Sequence, residues 1–428
     1  MTSADTIVAL SSGAPPSGVA VIRLSGRDTA RLVRAVSGEL PEPRKLVLRP
    51  IGQDSLLDRG LVVWFPGPYS FTGEDCAELQ VHGSPAGVRA ILNLLIANGA
   101  RLAEAGEFTR RAFENGKLDL IEIEGLGDLL EAETENQRRQ ALARFEGGLS
   151  QRIDAWRDTL LDLRAEIEAR LDFSDEGDVD EALPEEFGAQ ILALYKDIDT
   201  ALAGYAQGLI IREGIRVALA GAPNAGKSSL LNALAKSDIA IVTDEAGTTR
   251  DVRQVPLNID GQLYILLDLA GLRDTDSKAE AEGVRRARMA IADADIVLWL
   301  TAPDIEDDLD RPDNAIVVGT KFDLRAVADV DITVSALTGD GIDELVRRIT
   351  AIGETLTQGE PSLLSHERDR VALMEALAAL QRSAAQLSSP ELAAENLRIA
   401  SQSLERLVGR LDAERVLDRL FASFCIGK

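Results

Sequence analysis

The spacing of apolar and polar positions divides the 428-residue chain into four stretches. In residues 1–117, short apolar runs alternate with turn-forming clusters. Thr6–Leu10 and Gly18–Leu24 read as strands around a Ser/Gly/Pro loop, and Leu61–Phe65 as a strand ended by Pro66-Gly67-Pro68. Glu78–His82 alternates as a half-buried strand does, while Arg27–Val36 and Ser84–Asn98 have helical spacing, the second stopped by Asn98-Gly99. The period then lengthens. From Leu118 to about residue 207, apolar residues recur three or four apart through Leu126, Leu129 and Leu130, then Leu142, Phe145 and Leu149, then from Ile153 to Leu171.

Residues 212–353 return to short, continuous apolar runs: Ile215–Ala220, Leu263–Leu267, Ala315–Val318 and Ile332–Val334 read as buried strands, with Ser229–Lys236 an Ala/Leu helix. Thr301–Asn314 is short and acidic, so a reduced helix is expected there. Helical spacing resumes from His366 to Phe424, through Leu373, Leu377, Leu380, Leu392, Leu397, Leu404, Leu407 and Leu411. The expected fold class is multi-domain, α/β plus all-α. An N-terminal α/β domain spans 1–117, a helical domain is split into 118–211 and 354–428, and a second α/β domain, 212–353, is inserted between its halves. Such an insertion joins its host at closely spaced chain ends, and its movement can push on the helices.

Composition sets limits. No run approaches the ~20 apolar residues of a membrane span, and the N-terminus lacks a basic-then-apolar leader. Two cysteines, Cys76 and Cys425, give no disulfide framework. A cytoplasmic protein is expected. Net charge is −25, yet residues 1–117 hold 13 Lys/Arg against 12 Asp/Glu, so nearly all the acidity lies beyond them. That disfavours a broad electrostatic grip on nucleic acid; RNA would be handled locally or beside a more basic partner. The acidic piece Asp172–Asp180 reads as a solvated loop or helix cap, because its spacing does not match a Ca²⁺ loop.

The densest chemistry is Gly221–Ser228, GAPNAGKS, which fits the G-x-x-x-x-G-K-[ST] phosphate loop between a strand and a helix. Backbone N–H groups from Asn224 to Ser229, including Ala225 and Gly226, would cradle a polyphosphate at the helix N-terminus. Lys227 would reach the β/γ-phosphates and Ser228 would hold Mg²⁺. Asp268-Leu269-Ala270-Gly271 has the D-x-x-G form of a Mg²⁺-linked switch at a strand end. Thr320-Lys321-Phe322-Asp323 offers an aspartate that can accept two hydrogen bonds from guanine, and Ser335-Ala336-Leu337 suits the loop touching the guanine oxygen. These four elements in order point to a GTPase binding GTP and GDP.

Two features depart from the usual pattern. Thr320 stands where Asn is customary, at some expected cost in loop rigidity. Leu272 follows D-x-x-G where Ras-like proteins place a water-positioning Gln, so another group must orient the water. Asn224 is open to two readings, a turn-forming Asn or a ligand for a monovalent cation. Thr243-Asp244-Glu245-Ala246-Gly247-Thr248-Thr249 reads as switch I, with Thr249 able to complete the Mg²⁺ shell and K⁺ able to supply the charge that an arginine finger gives elsewhere.

Gly221–Ser229, Ile241-Val242-Thr243 and Gly247–Asp251 look like those of potassium-dependent, dimerisation-activated GTPases. Ser70–Asp75, Gly106–Leu120 and the terminal Cys425-Ile426-Gly427-Lys428 resemble the tRNA-modification GTPases of the MnmE (TrmE) family. The resemblance covers the whole chain. It implies a Ras-like P-loop module in a split helical domain, and an N-terminal domain that dimerises and binds a 5-formyl-tetrahydrofolate-type cofactor through Arg23, Glu78, Lys117 and Lys428. Taken alone, Arg23 and Glu78 read as a surface ion pair and Lys428 as a frayed tail. The resemblance further implies K⁺ held by Asn224, Thr243, Glu245 and Thr248, and a water oriented by Glu280. It also implies supporting roles for Arg250 and Arg273, and a family cysteine at Cys425, which reads equally as a packed thiol. Leu269 replaces the family's usual Thr.

The implied partner is a flavin-containing protein of the MnmG (GidA) type carrying FAD, in a heterotetramer that installs a carboxymethylaminomethyl-type group at C5 of the wobble uridine of certain tRNAs. The rival reading is a GTP-timed assembly factor without modification chemistry.

Overall fold

The computed structural model describes residues 5–172, 183–236, 253–269, 285, 287–305, 311–359, 362–411, 417, 420–421 and 427. The chain forms two compact units, residues 1–127 with 150–158 and 401–428, and residues 128–149 with 159–400. Among the described residues no helix is long and apolar enough to cross a membrane.

The first unit is built on six strands: β1 (Ile7–Leu10), β2 (Ser17–Ser25), β3 (Val47–Gly52), β4 (Leu56–Phe65), β5 (Cys76–Gly83) and β6 (Arg101–Leu102). They run in the order β3-β4-β5-β2-β1-β6, antiparallel but for β6 beside β1. Alternation along β2 sends Ala20, Ile22 and Leu24 to one face, where they meet Leu32, Val33 and Val36 of α1 (Thr29–Ser37) and Val88, Ile91 and Leu95 of α2 (Pro85–Ala97). Ser84 caps α2 by accepting from the Gly87 N–H, with Pro85 at the first helical position.

On the sheet's other face the register sets Arg23 opposite Glu78, and Leu48 opposite Leu61, which itself lies opposite Gln80. Leu48 is 64% exposed and Leu61 37%, an apolar pair on that outward face. The C-terminal segment also belongs to this unit. Leu417 and Phe421 pack on Leu120 and Ile123 at the start of α4 (Leu120–Glu131). A Cβ on Gly106, at φ +66°, would sit 2.5 Å from the Phe421 ring, so the turn into α3 (Glu107–Glu114) needs glycine. Ser11 Oγ donates to the Gly427 carbonyl at 2.8 Å.

The second unit holds β7 (Ile215–Gly221), β8 (Arg253–Ile259), β9 (Gln262–Asp268), β10 (Ile296–Thr301), β11 (Ile316–Gly319) and β12 (Ile332–Thr333). Their order is β12-β11-β10-β7-β9-β8, parallel except that β8 pairs antiparallel with β9. β7 and β10 are buried almost throughout because helices cover both faces, which is why they read as continuous apolar runs. On one face Leu230, Leu231 and Leu234 of α9 (Lys227–Lys236) and Leu345 and Ile349 of α10 (Ile342–Leu356) meet Val217, Leu219 and Leu298. Between β10 and β11, residues 302–305 and 311–315 form turns, and residues 306–310, the middle of the acidic segment, lie outside the described residues.

Helices α5 (Glu135–Phe145), α7 (Glu185–Ala203), α8 (Tyr205–Glu213) and α11 (Glu367–Ala385) complete this unit, with parts of α6 (Gly148–Asp172) and α12 (Pro390–Leu407). α5 opens with a Thr134/Gln137 capping box. Arg144 and Asp369, both fully buried, pair at 2.8 Å. The chain enters the α/β module through α8 and leaves it toward α11. Asp128 grips both paths, with Arg212 Nε at 2.9 Å on the way in and His366 Nε2 at 2.8 Å on the way out. Gln140 Nε2 similarly donates to the carbonyls of Gly208 and Ser362. At the closed end of the β8–β9 hairpin, Asn136 N–H donates to the Gly261 carbonyl at 3.0 Å and Asn136 Nδ2 to Gln262 Oε1 at 3.2 Å.

Candidate functional site

β7 ends in a turn that only glycine permits. Gly221 has φ +132°, and a Cβ there would lie 2.3 Å from the Leu300 carbonyl oxygen of the neighbouring strand. Asn224 (φ 66°) and Gly226 (φ 94°) are also left-handed, so the loop doubles back before α9 begins at Lys227. Asn tolerates this region better than most residues. Asn224, Ser228 and Ser229 are exposed, while Ala225 is buried.

Lys227 is largely buried, and its Nζ donates to the carbonyls of Gly221 (3.0 Å) and Ala222 (2.9 Å). Burial lowers its pKa, and the negative charge of Asp268 partly opposes this. Ser228 Oγ donates to Asp268 Oδ2 at 2.7 Å. The β7–β9 register, Leu219 opposite Asp268, therefore gathers an ammonium, a hydroxyl and a carboxylate at the C-terminal ends of adjacent parallel strands. Open α/β sheets bind ligands at that edge, and an oxygen pair of this kind suits Mg²⁺.

Three further loops close the site. Thr320 Oγ1 donates to the Ala225 carbonyl at 2.7 Å, and its N–H to the Thr301 carbonyl at 2.8 Å. The rigidity expected to be lost with Asn is thus supplied by a hydroxyl tied to the phosphate loop itself. Asp323 Oδ1 accepts from Ser335 Oγ at 2.6 Å, which fixes the carboxylate against the loop bearing Ala336 and the 85%-exposed Leu337. Lys321, at φ 54°, pairs with Asp304 at 2.8 Å. Leu269 is 2% exposed and packs with Ala218 and Leu267, so the exchange from Thr is absorbed by the core. Thr243, Asp244, Glu245, Ala246, Gly247, Thr248, Thr249, Arg250, Ala270, Gly271, Arg273, Glu280, Cys425 and Lys428 lie outside the described residues, as does the acidic stretch from 173 to 180.

A second site lies in the first unit. Arg23 Nε and Nη2 both donate to Glu78 Oε1, at 3.1 and 2.9 Å, which leaves Oε2 without a partner among the described residues. The Arg23 guanidinium lies 5.7 Å from the Phe71 ring and 5.9 Å from Phe108. Together with Arg44, Phe65, Tyr69 and Phe71, the pair lines a cavity of about 340 Å³. It offers an acceptor edge, aromatic faces and positive charge, which fits a flat heterocycle carrying donors and an anionic tail.

The loop lining this cavity is braced from behind by the signature segment Gly106–Leu120. Glu74 accepts from Arg111 at 2.8 Å and from Ser25 Oγ at 2.7 Å, and Asn115 Nδ2 donates to the Thr72 carbonyl at 2.7 Å. Arg111 also bonds Glu107 at 3.0 Å. Burial would raise the Glu107 pKa, but Arg101, the Glu104 N–H and Arg111 together hold it below the ordinary value. Lys117 stands beside Gly73, its Cε 3.3 Å from where a Cβ there would lie, and not among the cavity's lining residues. Sequence reasoning found Arg23 and Glu78 but missed Arg44, Phe65 and Tyr69, which no local motif marks.

Residues 6–117 match the GTP-binding protein TrmE N-terminus family and residues 120–425 the MnmE helical domain family. The chain is 50% identical over 434 residues to the tRNA modification GTPase MnmE of Rhizobium johnstonii, covering 99% of each chain. It is 48% identical over 433 residues to that of Azorhizobium caulinodans, covering 100% of this chain and 99% of the relative.

Proposed function

The chain belongs to the MnmE (TrmE) family of tRNA modification GTPases, and on that premise we propose that it hydrolyses GTP in a K⁺- and Mg²⁺-dependent reaction fired by pairing of two GTPase modules in a homodimer. With a flavin-containing MnmG-type partner, this hydrolysis would gate installation of a carboxymethylaminomethyl-type group at C5 of the wobble uridine. The observation that carries the reading is the junction of Lys227, Ser228 and Asp268 with the Thr320–Asp323–Ser335 loops.

In this reading Lys227 neutralises the β/γ-phosphates, and Asp323, oriented by Ser335, selects guanine. Ser228, with Thr249, holds Mg²⁺, and Asn224, with Thr243, Glu245 and Thr248, holds K⁺; these ions supply positive charge as the phosphoryl group transfers. Glu280 orients the water that Leu272 cannot. Arg23 and Glu78, with Lys117 and Lys428, hold the folate, which supplies a one-carbon unit when bound. The exposed apolar pair Leu48 and Leu61 on the outward face of the first sheet supports self-association.

Nucleoside mass analysis of tRNA from cells lacking the protein, and from cells complemented with wild type or Asn224→Ala, tests this function. The modified wobble uridine should vanish in the first and return only with wild type. Unchanged tRNA in the null would favour the assembly-factor reading, and full rescue by Asn224→Ala would remove the K⁺ site.

A further inference from the structure

Two guanidiniums face the cavity of the first unit, and they are in unlike states. Arg23 is charge-balanced by Glu78 at 2.9 Å. Arg44 has no carboxylate partner among the described residues; its guanidinium lies 5.7 Å from the centroid of the Phe65 ring and donates to the Tyr69 carbonyl. The nearest acid in sequence, Glu42, is taken by Lys45. Arg44 also sits at φ 62°, held there by its own N–H donating to the Trp64 carbonyl at 2.9 Å. A bulky residue in left-handed backbone is uncommon, and such positions cluster at ligand clamps and active sites. The bend carries an uncompensated cation to a cavity in which Glu78 Oε2 is an acceptor without a partner among the described residues.

We propose that Arg44 recognises the carboxylates of the ligand's tail, so that the cavity favours reduced folates bearing a glutamate or poly-γ-glutamate chain over the bare pterin. This rests on the folate reading of the same site. Glu78 and the aromatic rings take the heterocycle, and Arg44 takes the anion at the opposite chemical end. The guanidinium fork suits carboxylates, and its stacking on Phe65 keeps it preorganised.

The test is calorimetric titration of the full chain with 5-formyl-tetrahydrofolate, its triglutamate, and a 5-formyl-tetrahydropterin lacking the aminobenzoyl-glutamate. Wild type should bind the triglutamate most tightly and the tail-less pterin most weakly, with the difference shrinking as salt screens it. Arg44→Gln should lose about ten-fold in affinity for the glutamylated ligands, as expected for a charge-assisted contact, and leave the tail-less pterin unchanged. Arg44→Lys should restore part of the loss. Equal binding of all three ligands by wild type, an undiminished tail preference in Arg44→Gln, or an equal loss for the tail-less pterin would each overturn the assignment of Arg44 while sparing the folate site. Failure of wild type to bind any of them would overturn the folate reading and this proposal with it.

Discussion

Gly221 to Ser228 form the phosphate loop from eight consecutive residues, with three left-handed backbone positions shaping it locally. The cavity of the first unit is assembled differently: Arg23 comes from β2, Glu78 from β5, Phe65 from the end of β4, and Arg44 and Tyr69–Phe71 from two separate loops. The first arrangement depends on dihedral angles fixed by its own residues. The second depends on strand register and on a brace, Arg111 to Glu74, that does not line the cavity. A change far from the phosphate loop should therefore leave it working, whereas a change behind the cavity should dismantle it.

The largest expected effect is at the phosphate loop itself. Lys227→Ala should lower GTP turnover by about two orders of magnitude or more, as loss of a preorganised positive charge does, with little change in melting temperature. Steady-state phosphate release and thermal melts check this, and near-normal turnover would contradict the assignment. Next comes the brace. Arg111→Met leaves the largely buried Glu74 without its cation, while Glu107 keeps Arg101, at a cost of about 3–5 kcal/mol, and should weaken 5-formyl-tetrahydrofolate binding at least ten-fold although Arg111 does not line the cavity. Retained binding with a lowered melting point would show that the cavity does not need its brace.

Smaller effects separate the two regions further. Thr320→Val strands the Ala225 carbonyl and should cost about ten-fold in GTP affinity, the worth of one hydrogen bond to a buried acceptor, whereas Thr320→Asn should cost less; fluorescent-nucleotide titration distinguishes them. Asp128→Asn should leave GTP affinity unchanged but destabilise the second unit by about 2 kcal/mol. Burial would raise the Asp128 pKa, yet the bond and charge of His366, then Arg212, hold it below the ordinary value. A depressed pKa means the contribution is fully present above the unfolded carboxylate value, near pH ~4, and is lost as pH falls through the folded one. Denaturant melts of wild type and variant should differ by a constant amount at neutral pH and converge in acid. A fall in GTP affinity in Asp128→Asn would break the contrast between local and assembled sites.

What was legible in the sequence follows the same division. The strand before Gly221, the helix after it and the loops bearing Thr320–Asp323 and Ser335–Leu337 were readable because each is a contiguous signal. β3 and β6 were not: Val47–Gly52 contains Arg49 and Pro50, and Arg101–Leu102 is two residues long. Thr320 looked like a weakening because its tether to Ala225 spans 95 residues of sequence. Gly106–Leu120 was legible as a family signature but not as a brace, since Arg111 and Asn115 act on atoms more than thirty residues upstream. Arg44 carried no signal at all, because an arginine in a loop announces neither its backbone angle nor the missing acid beside it.

The hairpin β8–β9 has a mechanical consequence. Asp268, bonded to Ser228, sits at its open end, and Gln262, bonded to Asn136, at its closed end. At ~3.3 Å per residue, β9 is a rod roughly 20 Å long, stiffened by partners on both sides. Its pairing with both neighbours runs without a register shift. A shift of the carboxylate along the strand axis would therefore be passed along β9 to the first turn of α5, as a push-rod delivers its stroke.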